Sequence, residues 1–174
     1  VPWFLRKETR SALIDLKSSG LSYLFAGMET ASETVAQSMS KNIGRNADGW
    51  MCRNEEAVSL ATEASLRYGV AILFGLGESH ATRVHQLQEV LRWQKVYAGN
   101  PCVVSLNWAT QHPLLNVGMF DYVDWGTSAD SELLPYFQEL FGEASEKYLV
   151  NQQKPVVAEL EELRQLFNQL KLQQ

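Results

Sequence analysis

The sequence predicts an α/β fold in which parallel strands alternate with helices. Three short apolar runs are separated by longer segments with helical periodicity. The clearest run, Val70 to Phe74, stands between Gly69 and Gly75 and is too short for a stable helix. Its β-branched and aromatic residues indicate a central parallel strand that is covered on both faces.

Length, composition and charge set the broad class of the protein. With 174 residues, 45% of them hydrophobic, the chain is long enough to bury the core of one domain. No apolar run approaches the length of a membrane span, and the amino terminus carries no signal sequence, so we expect a cytoplasmic protein without a membrane partner. The formal charge of −5 and the lack of a lysine-arginine cluster argue against binding to nucleic acid.

The first elements follow from periodicity and from turn residues. A helix is predicted over residues 3–18, because apolar residues recur on one face and Gly20 follows as a terminator. A buried strand is predicted over residues 21–26. Residues 30–33 match a capping box, which predicts the start of the next helix.

A polar, glycine-containing segment over residues 38–54 predicts a loop inserted in the crossover to the second strand. Loops of this length in compact domains are disproportionately functional, and Lys41 and Arg45 could meet an anionic group there. Asn54 is predicted to cap a helix that continues to residue 67. The central strand and a helix over residues 79–97 follow.

The third strand is predicted over residues 103–107, and polar and aromatic residues crowd its end. Strands joined by helical crossovers run parallel, so the carboxyl ends of the three strands are expected at one edge of the sheet. Glu29 follows the first strand, and Gly75 and Gly77 free the backbone after the second. A ligand can therefore lie close to the backbone at this edge, where we expect a bound nucleoside.

The pattern changes after Pro113, which divides the chain into residues 1–113 and a carboxyl-terminal extension over residues 114–174. The extension is predicted to contain a loop of bulky residues over 114–126, a helix over 131–141 and a final amphipathic helix from Pro155. The apolar stripe of the final helix has two alternatives: it packs on the domain, or it forms a homodimer.

The central run resembles the fifth-strand motif of radical S-adenosylmethionine enzymes, often written G-x-I-x-G-x-x-E. Val70, Ile72, Gly75 and Glu78 stand in the matching places. The strands predicted before and after it resemble the fourth and sixth strands of that family, so the resemblance covers roughly residues 6–113. It implies a partial (βα) barrel of the TIM type, of which strands four to six are present here, followed by carboxyl-terminal helices.

The resemblance also implies an activity. In that family a reduced 4Fe-4S cluster cleaves S-adenosylmethionine to a radical that abstracts hydrogen, here from a small-molecule substrate. Lys41 and Arg45 are assigned to the substrate or to the methionine carboxylate. The residues assigned to the nucleoside and methionine of the cofactor are Glu29, Ile72, Gly75, Gly77, Glu78, Asn107, Trp108 and Thr110.

The cysteines depart from the pattern of the resembled family. Cys52 and Cys102 lie far apart and have no metal-ligand spacing, and neither belongs to a C-x-x-x-C-x-x-C cluster loop. We therefore expect the cluster ligands and the rest of the barrel in an absent amino-terminal segment or in a partner chain. No turnover is expected from these residues alone.

Two other functions remain open. An ordinary (βα) barrel lyase or aldolase would use Glu29, Lys41 and Glu78 as acid-base groups at the strand ends. A non-catalytic barrel-like module would instead bind a partner protein through its terminal helix.

Overall fold

The computed structural model of the chain describes residues 9–39, 49–109, 122–124, 131–142, 147–149 and 155–171. The predicted contacts Lys41, Arg45 and Thr110 lie outside these residues, as does most of the predicted loop over 114–126. The elements in chain order are α1 (Thr9–Ser18), β1 (Tyr23–Glu29), α2 (Glu33–Ser38), α3 (Trp50–Glu63), β2 (Arg67–Phe74), α4 (His80–Val96), β3 (Val103–Trp108), β4 (Tyr122–Asp124), a 3-10 turn (Ser131–Leu133), α5 (Leu134–Phe141), β5 (Lys147–Leu149) and α6 (Val157–Lys171).

The predicted α/β class and the three parallel strands are confirmed. The described strands form one sheet in the order β1-β2-β3, with both neighbouring pairs parallel, and a separate antiparallel pair of β4 and β5. The central strand β2 covers the predicted run. The β4–β5 pair was not predicted, because three-residue strands are too short to show a period in the sequence.

The two faces of the sheet are covered unequally. On β2 the side chains of Tyr68, Val70, Ile72 and Phe74 are buried and share one core with residues of the helices. Among the described residues, the opposite face is mostly half-buried or exposed, which differs from the predicted cover on both faces. We call this second surface the open face; it consists of Tyr23, Phe25, Gly27, Gly69, Ala71, Leu73, Val103, Ser105 and Asn107.

Gly69 leaves room on the open face for two aromatic rings from β1. A Cβ atom at this position would overlap the Tyr23 hydroxyl and would lie 2.8 Å from Cδ2 of Phe25. The two rings, with centroids 6.4 Å apart, remain 36% and 50% exposed. The open face therefore presents aromatic rings beside small residues, and its described residues are more exposed than those of the opposite face.

Two helix starts differ from the prediction. Ser32, rather than Thr30, caps α2 by accepting a hydrogen bond from the Val35 amide at 3.2 Å. The helix α3 begins at Trp50, so Asn54 is an interior residue whose side chain donates to the Trp50 carbonyl. Both predictions were wrong because polar residues that resemble caps also bond locally to the backbone inside a helix or a turn.

The final helix packs on its own domain. Its stripe of Leu160, Leu163, Phe167 and Leu170 is buried in the common core, and α6 contacts α4 and α5. Of the two alternatives for this stripe, the structure shows packing on the domain. Among the described helices, none combines the length and apolar character that crossing a membrane requires.

Candidate functional site

The ends of the three parallel strands lie side by side at one edge of the sheet. Glu29 at the end of β1 pairs with Ile72, and Phe74 at the end of β2 pairs with Trp108 at the end of β3. The predicted residues on the described strands and in the loop after β2 are therefore brought to the same edge. We call it the carboxyl edge.

The end of β1 is held by hydrogen bonds from two helices. The register between β1 and β2 shifts after Gly27, and Glu29 has a left-handed backbone with φ 65°. The indole Nε1 of Trp50 donates to the carbonyls of Met28 and Thr30, at 3.2 and 3.0 Å. The fully buried Gln86 donates to the Glu29 carbonyl at 3.2 Å. A non-glycine residue in this conformation is strained, and these buried bonds hold it in place.

The loop after β2 is built around Glu78. Gly75 and Gly77 have φ values of 83° and 101°, which favour glycine. The Glu78 carboxylate accepts hydrogen bonds from the amides of Gly75 and Leu76, at 2.7 and 2.8 Å. Glu78 therefore closes the loop on itself, which explains why an acid stands three residues after the first glycine.

Arg83 completes this arrangement from the second turn of α4. Its Nε lies 2.7 Å from the Glu78 carboxylate, and Nη2 donates to the Glu78 carbonyl at 3.2 Å. Both side chains of this ion pair are only 1% exposed. The guanidinium also lies over the Trp108 ring, 4.6 Å from its centroid, which joins the loop after β2 to the end of β3.

The end of β3 presents its residues to different faces. Asn107 lies on the open face, half-buried, and its side-chain amide donates to the Ile72 carbonyl at 3.2 Å. Trp108 is buried on the covered face, where its ring packs against Phe137 and Phe141 of α5 with centroids 5.1 and 5.5 Å apart. The Trp108 side chain is therefore a core residue.

The same distinction applies to Ile72. Its side chain is fully buried on the covered face, whereas the next residue, Leu73, is half-buried on the open face beside Asn107. A ligand on the open face would meet the side chain of Leu73, not that of Ile72. The written motif places its isoleucine two residues before the second glycine, so Gly75 and Glu78 put Ala71 and Leu73, not Val70 and Ile72, in the first two matching places. The spacing of the motif, counted back from Gly75, was the signal that could have located Leu73.

Three residues of the carboxyl edge were not predicted from the sequence. Trp50, Arg83 and Gln86 are fully buried polar or aromatic residues on α3 and α4, and each bonds the end of a strand or the loop behind it. No sequence signal locates them, because each contact depends on how a helix packs on the sheet. An arginine and a glutamine three residues apart can, however, share one helix face.

Two tyrosines show the electrostatic effect of burial in the sheet. Burial raises the pKa of the Tyr68 hydroxyl to about 12. Burial also raises the pKa of Tyr23, as does the nearby Cys102, while Arg67 lowers it. The Tyr68 hydroxyl therefore stays neutral at physiological pH, and neither ring supplies a charge to the carboxyl edge.

The described residues do not form a metal centre. Among them, no group of three or more His, Cys, Asp or Glu side chains is arranged to hold a metal ion. Cys52 is exposed on the first turn of α3, which contacts the carboxyl edge through Trp50. Cys102 precedes β3 at the opposite edge, where its amide donates to the Tyr68 carbonyl. The two thiols thus cannot share an iron ion.

Comparisons with protein-family models, with curated proteins and with solved structures found no match for this chain.

Proposed function

We propose that the chain is the carboxyl-side part of a radical S-adenosylmethionine enzyme. The whole enzyme reductively cleaves S-adenosylmethionine with a 4Fe-4S cluster and abstracts hydrogen from a small-molecule substrate. The present residues contribute to nucleoside and substrate binding. The observation that carries this proposal is the side-by-side placement of three parallel strand ends, the middle one followed by a loop with two left-handed glycines.

The loop geometry supports the close approach of a ligand to the backbone. At Gly77 a Cβ atom would meet nothing within 4 Å, so the space beside this residue is open. Leu73 offers an apolar contact for the adenine ring, and Asn107 offers a polar side chain on the same face. Glu29 is assigned the ribose or the methionine moiety, in accordance with the family resemblance. Gly75, Gly77 and Glu78 act through the shape of the loop.

The open face supports the proposal of a partial barrel. A sheet in a closed barrel has helices outside and strand side chains inside, so only one of its faces packs against helices. Beside the exposed Tyr23 and Phe25, the open face carries the small residues Ala71 and Ser105. We propose that this face is part of the barrel interior. The remaining strands are then supplied by an amino-terminal segment or by a partner chain.

The described residues do not fit a 4Fe-4S cluster, because they contain neither a metal-ligand group nor two thiols at the same edge. The ligands of the cluster are proposed to come from the segment that supplies the remaining strands. The role of this chain is limited to binding and orientation: it provides a partly apolar surface at the strand ends and holds the loop that approaches the nucleoside.

The structure supports an ordinary barrel lyase or aldolase less well. That function needs Glu78 as an acid-base group near the substrate. Both carboxylate oxygens accept hydrogen bonds from loop amides, one oxygen also bonds Arg83, and the side chain is 1% exposed. Glu78 is therefore committed to holding the loop, and no other described observation favours this second function.

The proposal is tested on the full-length polypeptide that carries this chain, reconstituted anaerobically with iron and sulfide. We expect the absorbance of a 4Fe-4S cluster and, after reduction, cleavage of S-adenosylmethionine. Failure to form the cluster, or failure of the reduced protein to cleave the cofactor, would remove the proposal.

A matched pair of variants tests the location of the site. Leu73→Arg places a long cation on the open face beside Asn107 and should abolish cleavage while the cluster still forms. Val96→Arg places the same cation at the last residue of α4, where the side chain is 58% exposed. This variant should leave cleavage unchanged. Equal activity of the two variants would place the cofactor elsewhere.

A further inference from the structure

Both polar atoms of the Gln86 side chain form hydrogen bonds with the turn that follows β1. Its Nε2 donates to the Glu29 carbonyl at 3.2 Å, and its Oε1 accepts from the Ala31 amide at 2.9 Å. The residue is 0% exposed, although it lies on α4, more than fifty positions along the chain from this turn. A buried glutamine that satisfies both a carbonyl and an amide fixes the distance and the angle between them.

The turn that Gln86 holds is strained, and it is also spanned by a local hydrogen bond from the Thr30 amide to the Met28 carbonyl at 2.9 Å. Glu29 has a left-handed backbone, and the β1–β2 register shifts immediately before it. Trp50 bonds the carbonyls of Met28 and Thr30 on either side of Glu29. Gln86 bonds the carbonyl of Glu29 itself. Without Gln86, the left-handed residue would lose a buried bond that opposes relaxation toward an ordinary extended conformation.

Arg83 precedes Gln86 by three residues on the same helix, and it fixes the second turn of the carboxyl edge through Glu78. Residues three apart on a helix are neighbours on one face. A single buried face of α4 therefore bonds both the turn after β1 and the loop after β2. The relative position of the two turns is set by the spacing of these two side chains.

We propose that Gln86 is a positioning residue for S-adenosylmethionine, acting through the Glu29 turn rather than by contact with the cofactor. This inference rests on the proposed function. The affinity for the cofactor then depends on how Gln86 orients Glu29 relative to the glycine loop that Arg83 holds. A loose Glu29 turn lowers the affinity for the cofactor, because the turn must then be ordered each time the cofactor binds.

The same helix offers a matched control. Gln94 is also buried on α4, 3% exposed, and its Nε2 donates to the Pro101 carbonyl at 2.7 Å. Pro101 precedes β3, so this bond lies at the amino edge of the sheet, away from the strand ends. Gln86→Met and Gln94→Met thus remove the same group from the same helix at similar burial, at opposite edges of the sheet.

The experiment uses the full-length, cluster-reconstituted protein. For each variant we would measure the KM for S-adenosylmethionine, kcat, the urea midpoint of unfolding and the deuterium exchange rate of the Ala31 amide. We expect Gln86→Met, which removes two hydrogen bonds, to lose more stability than Gln94→Met, which removes one. Only Gln86→Met should raise the KM, by about tenfold or more. Gln86→Met alone should also accelerate exchange at Ala31, because that amide loses its acceptor.

An equal rise in KM for the two variants would overturn the inference, and so would unchanged exchange at Ala31 in Gln86→Met. If the parent protein does not cleave the cofactor, the proposed function fails, and the exchange rate at Ala31 then decides alone whether Gln86 fixes the turn. If Gln86→Met does not fold, the pair Gln86→Asn and Gln94→Asn replaces it under the same criteria, because an amide that is one methylene shorter keeps its polarity but loses its reach to the turn.

Discussion

The ion pair between Glu78 and Arg83 gives the most specific prediction about stability. Glu78→Gln keeps the shape of the side chain but removes its charge and one acceptor oxygen. In the parent protein, the two oxygens accept from Gly75, from Leu76 and from Arg83 at 2.7 to 2.8 Å, in a site that is 1% exposed. After the change, at least one of these donors faces an NH₂ group, and the Arg83 charge loses the carboxylate beside it.

Removing one partner of a buried ion pair costs about 3–5 kcal/mol, because the other charge is left without compensation. The free energy of unfolding of a domain is about 5–15 kcal/mol, so this loss is a large share of the total. For a chain of this length, each kcal/mol lowers the Tm by about 2–4 °C, which gives a decrease of about 6–20 °C.

Urea titration followed by tryptophan fluorescence measures the loss. Arg10→Met is the control, because the Arg10–Glu63 pair is as short, at 2.8 Å, but its side chains are 67% and 43% exposed. An exposed pair contributes at most about 1 kcal/mol. The double variant Glu78→Gln/Arg83→Met should regain part of the stability, since neither buried charge remains. If Glu78→Gln lowers the free energy of unfolding no more than Arg10→Met does, the buried ion pair does not stabilise the fold as described.

Three further changes test other parts of the structure. Gly77→Ala should lower the free energy of unfolding by about 1 kcal/mol, because the φ of 101° is strained for alanine although its Cβ meets no neighbour. A higher urea midpoint in this variant would contradict the expectation. Burial raises the pKa of Tyr68 from 10.0 to about 12, so its stabilising effect is complete below pH 10 and is lost as the pH rises to about 12. Over that range the parent should lose about 2–3 kcal/mol more than Tyr68→Phe, and parallel pH profiles of the two proteins would rule the effect out. Leu163→Ala, at a fully buried position of α6, should cost about 2–5 kcal/mol without changing the oligomeric state in sedimentation; a small cost with loss of a dimer would show that the stripe packs on a partner.

The sequence was sufficient to predict the strands but not their faces. An apolar run between Gly69 and Gly75 identified β2 and its place between two other strands, because short β-branched runs between helices have few other solutions. The same run does not show which side chains face the helices. Ile72 and Leu73 have equivalent chemistry, and only the register with β1 and β3 places Ile72 on the covered face and Leu73 on the open face.

The candidate site could be predicted only where its residues follow the strands directly. Glu29, Gly75, Gly77 and Asn107 stand at strand ends and were located from the order of elements. The residues that hold these ends, such as Gln86, act across long distances in the chain. Their contacts with the strand ends depend on how α4 packs against the sheet, and no local sequence pattern encodes that packing.

The three strand ends are proposed to bind one nucleoside together. Deuterium exchange of the reconstituted full-length protein, measured with and without S-adenosylmethionine, distinguishes a shared site from binding elsewhere. We expect the cofactor to slow exchange at the ends of all three strands, around Glu29, Gly75 and Asn107, and to leave the amino edge near Gly99 unchanged. Protection confined to other segments, or protection at one strand end alone, would contradict the proposed shared site.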